Sequence, residues 1–188
     1  MALAVRRDPG MGVAEYQVWV ADRPDEERWE LIDGEPVLAP PPSERHQMIV
    51  LNLLQLLFPL ARAKGGRAIP GIAVLSDAMD GFAPIPDVLV RCGPVLGHGY
   101  ARDPILVAEV VSPSTLHRDR GAKAAFYESL ASLDAFLLVD QDAPCVETWR
   151  RDAAGAWAQD IRGCDAHIDL PELGGRLAVA DIYDDIDF

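Results

Sequence analysis

Cysteine is scarce in this chain of 188 residues. The three present, Cys92, Cys145 and Cys164, are scattered and lack CxxC spacing. An odd, scattered set argues against a disulfide framework and against a zinc site. Reduced cysteines of this kind point to a cytoplasmic protein. Long apolar runs are missing as well, since none approaches the roughly 20 residues needed to span a bilayer. Met1 to Arg7 has two arginines with no long apolar segment behind them, so no signal peptide is read. A glycine-rich phosphate loop of either common type is absent. The surroundings of Ser112 and Ser114 make no nucleophile elbow, and no histidine and acid are placed to complete a triad with them. His46, His98, His117 and His167 share no metal-ligand spacing.

Basic residues are outnumbered, and the formal net charge of −13 argues against a simple nucleic-acid coat protein. The acids are unevenly spread. From Asp152 to Phe188 there are nine acids and two arginines, which reads first as a solvated acidic face. From Arg45 to Ser76 there is no acid, while Arg45, Arg62, Lys64 and Arg67 are basic. That stretch could face a phosphate backbone, although so few charges are a weak signal.

What is present supports one domain. Hydrophobic residues make up 49% of the chain, enough for a core at this length. Residues 1–12 read as a flexible leader, and 13–188 as a single domain. Val13 to Val20 suggests a short helix. Trp29 to Leu38 reads as a β-hairpin around the favoured Asp33-Gly34 turn. Pro40-Pro41-Pro42 breaks it, and Ser43 is placed to cap a helix reaching about Ala63. Pro59 is expected to kink or shorten its last turn. A strand follows from Arg67 to Leu75, then a turn near Asp80-Gly81, a strand Val88–Val90, and a loop from Gly93 to Asp103. Ile105–Val111 is almost continuously apolar, as a strand buried on both faces is. Ser112-Pro113-Ser114 ends it, and a helix is expected from about Arg118 to Ala131. Phe136–Asp140, Val146–Arg151 and Trp157–Ile161 read as further strands. Residues 166–188 look irregular apart from one short helix. The pattern is α/β or α+β: a mixed central sheet flanked by helices, with an N-terminal β-hairpin.

Against this apolar background the charged residues stand out. Asp87 follows Pro86 at the mouth of one strand, and Glu109 sits in the middle of another. An isolated charge in an apolar strand is costly unless paired or ligated. Two carboxylates on adjacent strands make a hard-cation site. Strand alternation puts Glu109 on one face with Val107 and Val111, away from Ala108 and Val110. Arg120, Lys123 and Tyr127 fall on one face of the following helix. Glu30 is a further acid, in the first hairpin, and His46 opens the long helix. Singly, each has an ordinary reading: a structural ion pair for Glu109, turn chemistry for Asp87, an exposed strand position for Glu30, a surface residue for His46, a solvated basic face for Lys123. Their joint order carries more weight than any one of them.

In that order the chain resembles the Uma-type restriction endonuclease family, within the PD-(D/E)XK nuclease superfamily. The motifs are Trp29-Glu-Leu-Ile-Asp-Gly-Glu35, Pro41-Pro-Ser-Glu-Arg-His46-Gln47, Pro86-Asp87-Val-Leu-Val90 and Val107-Ala-Glu109-Val-Val-Ser112. Asp119-Arg120 to Lys123, Tyr127, Leu137-Leu-Val-Asp140 and Val146-Glu147-Thr-Trp149-Arg150 complete the set, from about Tyr16 to Asp184. The resemblance implies a restriction-endonuclease-like core and metal-dependent hydrolysis of nucleic-acid phosphodiesters, with DNA as the first expectation. Asp87 and Glu109 match the two acids, and Glu30 an additional acid. Two residues after Glu109 the superfamily has lysine, whereas this chain has Val111. The lysine is then expected from the next helix, as Lys123. The implied roles are Mg²⁺, or alternatively Mn²⁺, on Asp87, Glu109 and the Val110 carbonyl. Lys123 would stabilise developing charge. Glu30, with His46 or Gln47, would hold a second metal or a water. Arg120 and Tyr127 would contact flanking phosphates. Many nucleases of this fold act as homodimers, and no membrane partner is implied. The alternative reading is a non-catalytic relative, a binding or regulatory module with a vestigial site.

Overall fold

The computed structural model describes residues 10–97, 99–112, 119–152 and 154–188, and leaves the side chains of Asp119 and Arg120 undescribed. Helix α1 covers Val13–Ala21. Strands β1 (Trp29–Ile32) and β2 (Glu35–Leu38) form the hairpin, and α2 spans Glu44–Ala63. Then come β3 (Arg67–Pro70), β4 (Ala73–Val74), β5 (Val88–Arg91), β6 (Tyr100–Ala101) and β7 (Pro104–Val111). A π-helical turn at Asp119–Lys123 leads into α3 (Ala124–Ser129). Strands β8 (Ala135–Asp140), β9 (Cys145–Arg151), β10 (Trp157–Gly163), β11 (His167–Leu170) and β12 (Gly175–Ala178) follow, and α4 is Val179–Ile182.

The central sheet has six strands in the order β10-β9-β8-β7-β5-β3. It is mixed: β7 and β8 are parallel, and the other neighbours are antiparallel. A parallel pair needs a crossover. Here the connection between β7 and β8 contains the π-helical turn and α3.

Strand alternation sorts the sheet into two faces. Val88, Val90, Leu106, Ala108, Val110, Leu137 and Val139 join the core formed with α2. Leu89, Val107, Val111, Phe136 and Leu138 join the core formed with Phe126 and Tyr127 of α3. A smaller third cluster sets Val13 and Tyr16 of α1 against Leu31 of the hairpin.

The hairpin turn follows from its residues. Asp33 and Gly34 both take positive φ, 52° and 77°, between the paired residues Ile32 and Glu35, as the type I′ turn requires. The Ser43 side chain accepts the His46 N–H at 3.1 Å and caps α2. That helix continues through Pro59 to Ala63, so proline does not shorten it.

Other expectations need correction. The single strand expected over 67–75 is two short ones, separated at Gly71, whose φ of +63° suits glycine. The loop at 93–103 contains β6, which pairs in parallel with β4. The expected helix of 118–131 is a π-helical turn and a six-residue α-helix; its start at Arg118 lies outside the described residues. The irregular tail is a hairpin, β11–β12, ahead of α4. Ile168 and Leu170, alternating with exposed His167 and Asp169, drop into the α2 core. At the N-terminus, the Met11 N–H donates to the Gly34 carbonyl at 2.9 Å, while residues 1–9 lie outside the described region. Among the described residues, no helix is long and apolar enough to cross a membrane.

Candidate active site

The register of the central sheet brings the two strand acids together. Val88 on β5 pairs with Ala108 on β7, and Leu89 with Val107. One step further along this antiparallel ladder, Asp87 stands across from Glu109. Residues directly opposite share a face, and this is the α3 face. Asp87 also terminates the ladder, because its Oδ2 accepts the Val110 N–H at 2.8 Å.

Lys123 reaches the same place from the π-helical turn. Its Nζ lies 3.1 Å from Glu109 Oε1 and 2.9 Å from Glu30 Oε1. Glu30, Glu109 and Lys123 are nearly enclosed, with 4%, 5% and 4% of their surface exposed. Charges this buried are costly singly and tolerable when paired. Lys123 is one of only two lysines in the sequence, Lys64 being the other. Val111, two residues after Glu109, is buried in the α3 core and takes no part.

The hairpin is bound to the strand acids by backbone and side chain. Glu30 Oε1 accepts the Ile85 N–H at 2.7 Å, and Arg28 donates to the Ile85 carbonyl at 2.7 Å. Arg28 also lies 3.7 Å from Asp87 Oδ1. Arg28 was not among the expected site residues. Its signal was strand alternation: counted back from Glu30, residue 28 falls on the same side of the hairpin. From α2, His46 Nε2 comes within 3.3 Å of Asp87 Oδ2. Burial pushes the Asp87 carboxyl up. The hydrogen bond and charge of His46, the Val110 N–H and the Arg28 guanidinium outweigh this and leave it below the usual carboxylate range.

Two expected residues have other placements, and a third is not described. Tyr127, expected at a flanking phosphate, is fully buried. Its hydroxyl donates to Glu109 Oε1 at 2.5 Å, so it holds the acid. Gln47 is exposed on α2 and is not part of the cleft lining. The side chain of Arg120 lies outside the described residues.

These groups form the floor of a cleft of about 680 Å³. Glu30, Asp87, Glu109, Val110 and Lys123 line it, together with Arg28, His46 and the Pro40–Pro42 segment. Among the described residues, no group of three or more His, Cys, Asp or Glu side chains is placed to hold a metal ion by itself. Two carboxylates beside a backbone carbonyl suit a cation that keeps several waters, as Mg²⁺ does, better than one needing an all-protein shell. One further polar atom of the site is without a partner: His46 Nδ1 is buried and lacks a hydrogen bond among the described residues.

A mixed sheet with a parallel crossover, an N-terminal hairpin, and acids facing one another on adjacent strands define a restriction-endonuclease-like chain. The chain belongs to the Uma2 family, described as "Putative restriction endonuclease", whose profile matches residues 13–173. A curated relative, "Uncharacterized protein slr1290" of Synechocystis, is 27% identical over 179 residues, covering 93% of this chain and 92% of the relative. The same fold is seen in the crystal structure of a "putative nuclease belonging to DUF820" from Anabaena variabilis. The two share 16% identity and a TM-score of 0.74, over 92% of this chain and 97% of the other.

Proposed function

We propose that this protein is a metal-dependent endonuclease that hydrolyses phosphodiester bonds, with DNA as its substrate. The observation carrying the reading is the convergence of Asp87, Glu109 and Lys123 at the floor of one cleft, delivered by β5, β7 and the π-helical turn. Asp87, Glu109 and the Val110 carbonyl are the groups that would hold Mg²⁺, or Mn²⁺ in its place. The cation would supply a Lewis acid and a water of lowered pKa.

The chain's own residues do the rest. Lys123 is the one lysine in the cleft lining, and it stabilises the charge that develops on the phosphoryl oxygens. Its two carboxylate partners hold it in place before substrate arrives, so little reorganisation is needed at the moment of reaction. Tyr127 fixes the orientation of Glu109. His46 and Arg28 do the same for Asp87, one at each carboxylate oxygen. Glu30 ties Lys123 to the hairpin and aims it between the strands.

The test is cleavage of plasmid, single-stranded DNA and RNA, with Mg²⁺ or Mn²⁺ and with chelator. The reading expects metal-dependent cleavage of DNA that is lost in Asp87→Ala and Glu109→Ala. Binding without any cut product would instead establish the non-catalytic module.

A further inference from the structure

The two ends of the central sheet are finished differently. At one end β3 is four residues long and closes on Pro70. Proline removes a donor from the open edge, a common way to discourage pairing. At the other end β10 is seven residues long, Trp157–Gly163, and contains no proline. Every residue from Ala158 to Gly163 is exposed, and Ile161 keeps 59% of its surface open. A long, open edge strand with an exposed aliphatic residue one place past its midpoint is a template for another strand.

We propose that β10 pairs with β10 of a second copy of this chain, antiparallel about a two-fold axis at Ile161. The sequence of the strand selects both the occupant and the register. With the axis at Ile161, that residue meets its own copy, and Asp160 of each chain lies opposite Arg162 of the other. Opposite charges across an antiparallel pair stabilise it, and like charges oppose it. Moving the axis to Asp160 would set two aspartates against each other. Moving it to Arg162 would do the same with two arginines. The Ile161 register also matches each face of one sheet with the same face of the other.

Within one chain, Arg162 and Asp160 already pair, with Arg162 Nη2 2.5 Å from Asp160 Oδ2. Both side chains are about half exposed, and exposed pairs contribute little. Sharing them across the axis therefore sacrifices little within the chain. Arg162 and Asp160 lie in register with Val146 and Thr148 of β9, on the α2 face. The candidate active site is on the other face, so the pairing does not depend on the nuclease reading.

Sedimentation equilibrium of the full chain over a range of concentrations tests the proposal. The wild type is expected as a monomer–dimer equilibrium. Asp160→Arg alone and Arg162→Asp alone each place like charges opposite one another twice. Each should raise the dimer dissociation constant about tenfold or more. An equimolar mixture of the two single variants restores opposite charges at both positions and should dimerise as the wild type does. The double variant Asp160→Arg/Arg162→Asp should do so as well. Both positions are exposed, so far-UV circular dichroism of the single variants should match the wild type. A wild type that stays monomeric at every concentration overturns the proposal. So does a dimer indifferent to the single variants, or a mixture that remains monomeric. Cleavage is not read in this experiment, so its outcome is independent of whether the chain is a nuclease.

Discussion

Toward α2, strands β5, β7 and β8 of the central sheet present Val88, Val90, Leu106, Ala108, Val110, Leu137 and Val139, side chains without a polar atom. Toward α3, it presents Leu89, Val107, Val111, Phe136 and Leu138, but also Glu109 and Glu147, which are 5% and 4% exposed. The first face is held by contacts that add up without any being indispensable in its direction or charge. The second is held partly by specific pairs: Lys123 with Glu109 and Glu30, Tyr127 with Glu109, and Trp149 Nε1 donating to Glu147 at 2.6 Å. Hydrophobic burial is non-directional, whereas buried charges need their partners in place. Changes on the α2 face should therefore cost stability alone. Changes on the α3 face should cost stability and chemistry together.

The largest expected break is Lys123→Met. Loss of the preorganised cation should lower the cleavage rate roughly 10²–10³-fold in single-turnover assays. It also strands two buried carboxylates, which should destabilise the fold by about 3–5 kcal/mol in chemical denaturation. Adding Mg²⁺ should then raise the melting temperature of the variant more than that of the wild type. Equal shifts would separate the metal from these acids.

Next is Leu53→Ala on the opposite face. Leu53 is fully buried on α2, and the cavity left behind should cost about 2–5 kcal/mol. Cleavage per folded molecule should not change. A fall in turnover would show that the two faces are coupled.

Tyr127→Phe sharpens the comparison by removing a single oxygen. The ring packing on Phe126 and Phe136 is kept, while the hydrogen bond to Glu109 is lost. The expected loss is about 1.5–3 kcal/mol of stability, as for a bond to a charged group. Mg²⁺ affinity, read by calorimetry, should fall about tenfold.

Ser43→Ala is the mildest change and touches both faces. Removing the cap of α2 should cost about 1 kcal/mol. Because His46 sits in the capped turn, a small fall in cleavage should accompany it, measured at a temperature where the variant is fully folded.

Much of this was legible in the residues because it depends on local rules. The Asp33-Gly34 turn, the Ser43 cap and the apolar run of β7 each follow from a few neighbouring side chains. Asp87 and Glu109 stood out in the residues as charges in apolar strands, whereas Lys123 joined them only through the family resemblance, its own neighbours fitting a solvated basic face equally well. What escaped depends on pairing at a distance. The short β4 acquires its strand pairing against β6, 27 residues on. The β11–β12 hairpin did carry a local sign, the alternation through His167-Ile168-Asp169-Leu170, which the acidic composition of the tail obscured. The role of Tyr127 escaped because helical spacing places a residue on a face without saying whether that face meets solvent. Arg28 was hidden by its position just before the first strand.

The π-helical turn has a consequence for how such chains are found. A π-turn accommodates one more residue than an α-turn, and a residue gained or lost ahead of Lys123 would swing its side chain by about 100°. Fourteen residues separate Lys123 from the acid it touches. A search keyed to a lysine two places after the acid passes over this chain, whereas one that allows the cation to arrive from the following crossover retains it. The strand position released in this way, Val111, is then available to the core, and sequences drifting apart at residue 111 can keep the same constellation in the cleft.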